Sequence, residues 1–158
     1  MAPTTGLWVL AAAVVLGGVL AGVYAGFAVG VMPGLARASD GTLVETMQRI
    51  NQAIVNPAFM VVFFGAPLLA VVGAVLRTST LTVVGAVLAV ATLVITIAIN
   101  VPLNDALDTA PTATLAQLAD ARATFEGAWT RANLLRTLTG LLAVTAPVAE
   151  LVRSAITR

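Results

Sequence analysis

Residues 58–99 read AFMVVFFGAPLLAVVGAVL-RTST-LTVVGAVLAVATLVITIAI, two uncharged apolar runs separated only by Arg77, Thr78, Ser79 and Thr80. Each run is close to the roughly 20 helical residues needed to cross the hydrocarbon core of a bilayer. The connection is a tight turn whose residues cannot build a site, so Ala58–Leu76 and Leu81–Ile99 read as an antiparallel pair of membrane-spanning helices. Outward from them, Leu7–Met32 and a stretch from about Ala128 to Val152 are long and apolar enough to do the same. The expected fold is all-α, a single four-helix transmembrane bundle covering residues 1–158, with short amphipathic helices in the first and third connections.

Composition supports this and narrows the chemistry. Of 158 residues, 59% are hydrophobic and only 9% charged, more apolar surface than a soluble domain of this size needs. The chain has no Cys and no His, which removes thiolate chemistry, disulfides, imidazole bases and the common ligands of transition metals. No metal site and no cofactor are expected. The basic residues are all arginines and leave a net charge of +1, with no basic run to suggest nucleic acid.

The first segment lacks Lys or Arg ahead of its apolar run and is longer than a signal-peptide core, so it reads as a retained span. Gly18, Gly22, Gly26, Gly30 and Gly34 recur at every fourth position along it. Such overlapping GxxxG units permit close helix approach. They are expected to pack inside the bundle, with a homo-oligomer as the alternative.

An even number of spans places both termini on the side of the Arg77 turn and both long connections opposite. In the first connection, Thr42 and Glu45 match a Thr-x-x-Glu capping box, and Met47, Ile50 and Ile54 form an apolar face opposite Gln48, Arg49, Gln52 and Asn56. A surface helix is predicted there, able to act as a lid. The third connection opens with Asn100-Val-Pro-Leu-Asn104-Asp105 and resumes helical character from Thr112. Arginine count favours the looped side and net charge the terminal side. We place the termini in the cytoplasm, in a bacterial plasma membrane.

Arg122, Glu126, Trp129, Asn133 and Arg136 follow one another at intervals of four, three, four and three residues, which puts them on one stripe of a helix. Polar groups at the mouth of a span are costly and need partners or a task. Facing the Asn100 motif, they are expected to form one wall of a polar pocket. Asn100 and Asn104 offer amides to a ligand, Arg136 a permanent charge for an oxyanion, and Trp129 either a stacking face or an interfacial anchor. Glu126 or Asp105 is the type of group left for a general base. Arg122 and Glu126 read equally as a neutralised ion pair, and Asn133 and Arg136 as polar glue between helices.

Four spans in about 150 residues, the Asn100-Val-Pro-Leu-Asn104 motif and Trp129-x-x-x-Asn133-x-x-Arg136-Thr137 together resemble the anthrone oxygenase family of small membrane proteins. The resemblance covers essentially the whole chain. It implies oxidation of an anthrone-type polyketide to an anthraquinone by molecular oxygen, and by motif it points to Asn100, Asn104, Trp129, Asn133 and Arg136 without individual roles. From the chemistry of the side chains themselves, Glu126, Asn133 and Arg136 are expected in catalysis, Asn100, Asn104, Trp129 and Arg122 in substrate binding, and no cofactor is required. The expected partners are a flat apolar aromatic or a lipid, and the bilayer itself. A non-catalytic membrane subunit, or a protein that binds lipid or quinone, is the alternative.

Overall fold

The computed structural model describes residues 3–156; Arg158, which enters the charge balance, lies outside them. Every regular element among them is helical: α1 (Pro3–Gly26), α2 (Met32–Leu35), α3 (Asp40–Ile54), α4 (Pro57–Leu76), α5 (Thr80–Ile95), α6 (Val101–Asp108) and α7 (Leu115–Ile156). Two five-residue π turns, Phe27–Val31 and Thr96–Asn100, join α1 to α2 and α5 to α6. Four continuous helical stretches are long and apolar enough to cross a membrane: Thr4–Leu35, Pro57–Leu76, Thr80–Asp108 and Leu115–Ile156.

Local chemistry sets the helix boundaries. Asn56 caps α4 by accepting from Phe59 N–H at 3.0 Å, with Pro57 at the first helical position, where no N–H is needed. Ser79 and Thr82 form a reciprocal capping box at the start of α5, so the RTST connection is as tight as its length requires. Thr114 and Gln117 do the same for α7: Gln117 N–H donates to Thr114 Oγ1 at 3.2 Å and Thr114 N–H to Gln117 Oε1 at 3.1 Å. The helical character expected from Thr112 is therefore the first part of one 42-residue helix. The cap of α3 is Ser39, which accepts from Thr42 N–H at 3.2 Å. The Thr42–Glu45 box predicted from sequence does not form, because α3 starts at Asp40 and Glu45 instead accepts from Arg49 at 2.7 Å.

Each π turn directly precedes a proline pair position. Met32 N–H bonds back to Phe27 O and Val101 N–H to Thr96 O, and Pro33 and Pro102 follow one residue later. Proline has no N–H and its ring presses on the carbonyl four residues back. A widened turn absorbs both defects while the helix continues.

The half of the bundle nearer the termini packs through small residues, Ala13, Ala70, Ala74 and Ala86. A Cβ at Gly73 would lie 2.6 Å from Leu10 Cδ2, and one at Gly85 would lie 2.8 Å from Pro147 Cδ. Close backbone approach of this kind replaces the hydrophobic effect as the source of helix association where lipid is the solvent. The glycine stripe of the first span behaves differently. A Cβ added at Gly18, Gly22, Gly26, Gly30 or Gly34 would meet nothing within 4 Å, so the expected packing of that face inside the bundle is not found. α1 instead turns Leu10, Ala13, Leu20, Ala21 and Tyr24 inward.

At the looped end the core changes to large side chains: Met32, Leu43, Val44, Met47, Leu107, Phe125 and Trp129 form one buried cluster. Leu43, Val44 and Met47 all lie on α3, and burying each contributes about 2 kcal/mol to holding that helix across the end of the bundle. Gln48 adds a tie to α6, donating Nε2–H to Leu107 O at 2.9 Å.

Candidate functional site

A cavity of about 300 Å³ opens under α3, at the junction of α1, α4, α6 and α7. Its walls are mostly apolar and aromatic, including Phe27, Phe59, Phe63 and Trp129, and polar groups enter from Asn51, Thr96, Asn104 and Arg136. Asp105 and Asp108, both exposed, bring carboxylates to its lining. A small apolar space with a few convergent polar groups has the form of a ligand pocket.

Trp129 is 2% exposed, so it is a wall of the core and not an interfacial anchor. Its indole N–H donates to Asn104 Oδ1 at 2.8 Å, and its ring packs against Phe27 with centroids 5.3 Å apart and Phe125 at 5.9 Å. The hydrogen bond joins the two sequence motifs directly, α6 to α7. It also leaves the Asn104 amide N–H groups free of that contact.

Arg136 is 7% exposed. Its Nε–H donates to Asn133 Oδ1 at 3.0 Å, and the other end of that amide, Nδ2, donates to Tyr24 O at 3.1 Å. The guanidinium carbon lies 4.3 Å from the centroid of the Tyr24 ring and 5.0 Å from that of Trp129. Among the described residues no carboxylate comes within 4.0 Å of it. A buried cation is therefore balanced by two aromatic faces and one amide oxygen, an arrangement that favours an anion arriving in the cavity.

Among the described residues, Asn51 Nδ2 and both ends of the Asn100 amide are further buried polar groups without a hydrogen-bond partner, and the Tyr24 hydroxyl has Thr96 beside it. Asn100 is fully buried in the second π turn behind the cavity wall, and does not itself line the cavity.

The stripe on α7 is divided by depth. Arg122 and Glu126 do not line the cavity. Arg122 donates from Nε to Glu126 Oε2 at 2.7 Å, from Nη1 to Ala38 O at 2.9 Å and Asp40 Oδ1 at 3.0 Å, and from Nη2 to Ala36 O at 2.9 Å. It clamps the turn between α2 and α3 to α7, and Glu126 completes the clamp. Arg122 and Arg136 are 14 positions apart, about 21 Å along a helix, too far for one small ligand to touch both.

Sequence reasoning passed over Tyr24, Asn51, Phe27 of the first π turn and the phenylalanines of α4. Tyr24 is the single tyrosine of the chain, and a phenol placed in the middle of an apolar run is the one signal that marked it. Asn51 stands on the boundary of the amphipathic face of α3, where a polar residue reads as surface.

The family model of anthrone oxygenase matches residues 45–146 of the chain. The match runs from α3 into α7 and takes in both motifs, while Tyr24 on α1 and Phe27 in the first π turn lie outside it. No curated protein and no solved structure matches. With well over half of its length matched, the chain belongs to the anthrone oxygenase family.

Proposed function

We propose that the protein is a membrane-embedded oxygenase that oxidises a flat phenolic or anthrone-type polyketide with molecular oxygen and no cofactor. The observation that carries this reading is Arg136, a buried cation without a carboxylate partner, lining an aromatic-walled cavity. Membrane embedding is supported by large apolar side chains exposed on the outer faces of the spans, among them Val75 at 74%, Val61 at 65% and Leu68 at 62%. The charge balance of the connections supports termini on the cytoplasmic side.

The anthrone methylene is acidified by the flanking rings and carbonyl. A carboxylate at the cavity lining takes one of its protons. Asp105 is the base in this reading, because Glu126 is held in the Arg122 clamp. The electron pair left behind delocalises onto the carbonyl oxygen, where the Arg136 guanidinium stabilises the oxyanion. The enolate passes one electron to dioxygen, and the resulting radical pair combines with formation of a C–O bond. The peroxide takes up the proton from the carboxyl group. Loss of the second methylene proton with cleavage of the O–O bond releases water and leaves a carbonyl, so CH₂ plus O₂ becomes C=O plus H₂O. Trp129 and Phe27 stack against the tricycle, and the mostly apolar walls slow reprotonation of the carbanion.

The test is oxygen uptake by purified protein with anthrone as substrate, in detergent or nanodiscs. Wild type is expected to exceed the spontaneous rate, and Arg136→Ala and Asp105→Asn to fall at least about a hundredfold, the low end for loss of one positioned charge or proton acceptor. Equal rates for wild type and Arg136→Ala would remove the reading.

A further inference from the structure

Tyr24 lines the cavity yet has no task in the reaction above. Its contacts form a closed circuit between α1 and α7. The Tyr24 carbonyl accepts from Asn133 Nδ2 at 3.1 Å, Asn133 Oδ1 accepts from Arg136 Nε at 3.0 Å, and the Arg136 guanidinium carbon returns to the Tyr24 ring at 4.3 Å from its centroid. Tyr24 and Asn133 are 2% and 0% exposed, so water does not break the circuit.

Each link constrains the next. The Tyr24 carbonyl accepts only a donor, which turns the Asn133 amide so that its oxygen faces Arg136. That oxygen occupies Nε–H. It is the only hydrogen bond the guanidinium makes among the described residues, so the two terminal nitrogens of a cavity-lining arginine are left for a ligand. The Tyr24 ring, with its negative face toward the cation, supplies the attraction that a carboxylate supplies elsewhere, without neutralising the charge. A carboxylate in that place would satisfy Arg136 and close the site to anions. An aromatic ring holds it still and leaves it available.

We infer that Tyr24 is the positioning residue of an anion site: its ring holds Arg136 as a receptor for the deprotonated form of a flat phenol, which is bound as the phenolate. This rests on the oxygenase reading, since it names the state in which that site holds its ligand.

The probe is 1,8-dihydroxyanthraquinone, a flat phenol that needs no oxidation and whose visible colour changes on deprotonation. Its titration is followed by absorbance when bound to wild type, Tyr24→Phe, Tyr24→Leu, Arg136→Gln, and a form in which Tyr24 is replaced by pentafluorophenylalanine. The last keeps the shape of the ring and removes its negative face, so folding is spared. Bound to wild type, the dye is expected to titrate below its midpoint in protein-free micelles, and Tyr24→Phe to match wild type. The pentafluoro form and Tyr24→Leu are expected to raise the midpoint by about one pH unit, a tenfold loss of preference for the anion, toward the value in Arg136→Gln. Identical midpoints for Tyr24→Phe and the pentafluoro form would overturn the role of the ring, as would a raised midpoint in Tyr24→Phe. Failure of wild type to bind the dye, or a wild-type midpoint in Arg136→Gln, would instead overturn the reading of the site on which the inference stands.

Discussion

Removing the Arg122 side chain tests whether it belongs to the pocket or to the fold. In the structure this one guanidinium donates to Glu126, to Asp40 and to the carbonyls of Ala36 and Ala38, at 2.7, 3.0, 2.9 and 2.9 Å. The two carboxylate pairs are partly exposed, Asp40 at 43% and Glu126 at 26% of their side chains, so each contributes under about 1 kcal/mol. A hydrogen bond from a charged group to a carbonyl is worth about 1.5–3 kcal/mol when shielded from water, and half-exposure brings the two here to about 2 kcal/mol together. Arg122→Ala is then expected to weaken the seating of the α2–α3 turn by about 3 kcal/mol, roughly a hundredfold in its local opening equilibrium. Hydrogen exchange in detergent or nanodiscs reads this directly: amides of residues 36–45 should lose protection while those of α4 and α5 keep theirs. Affinity for a phenolic ligand should change little, because Arg122 lies about four helical turns from Arg136. Unchanged exchange around residues 36–45 together with lost ligand affinity would refute the reasoning and return Arg122 to the binding site.

Other perturbations separate packing from chemistry. Trp129→Phe keeps an aromatic wall but leaves Asn104 Oδ1 without its 2.8 Å donor, and should lower thermal stability by about 1–2 kcal/mol and weaken ligand binding, measured by melting and dye titration; an unchanged melt would deny that the bond ties α6 to α7. Gly73→Ala places a Cβ 2.6 Å from Leu10 Cδ2 and should destabilise the α1–α4 contact. Gly26→Ala meets nothing within 4 Å and should leave the melting temperature of the protomer unchanged or raised, so a loss at Gly26 equal to that at Gly73 would contradict the outward orientation of the stripe.

The four spans were legible because length and absence of charge suffice to identify a helix that can cross a membrane, and the short RTST link and the two long connections order them. The site was legible in part. Spacing placed Arg122, Glu126, Trp129, Asn133 and Arg136 on one face, and they do share one face of α7, but spacing carries no information about depth. Arg122 meets the carbonyls of a turn that is 84 and 86 positions away in the chain, a partner no local pattern reveals. Tyr24 was hidden for the opposite reason: one aromatic in an apolar run looks like core until a cation is found over its ring. The glycine stripe shows the same limit, since a four-residue period specifies a smooth face and leaves open which side of the helix meets its neighbours.

The two π turns connect these observations. Pro33 and Pro102 stand at the same offset after a five-residue π turn in the first and third spans, so the sequence places one helix defect in each. A π turn adds a residue to the turn and rotates everything beyond it relative to what came before. Phe27 lies in the first of these turns and Thr96 in the second, both lining the cavity, with Tyr24 one turn before the first and Asn104 one turn after the second. Part of the wall of the site therefore comes from the places where two spans depart from α-helical register, beside Ile50 and Asn51 of α3 and Phe59 and Phe63 of α4. An uninterrupted helix would carry Thr96 and Asn104 around its axis at a fixed 100° per residue. The second widened turn breaks that fixed relation, and α7 supplies the buried charge against which these walls are set.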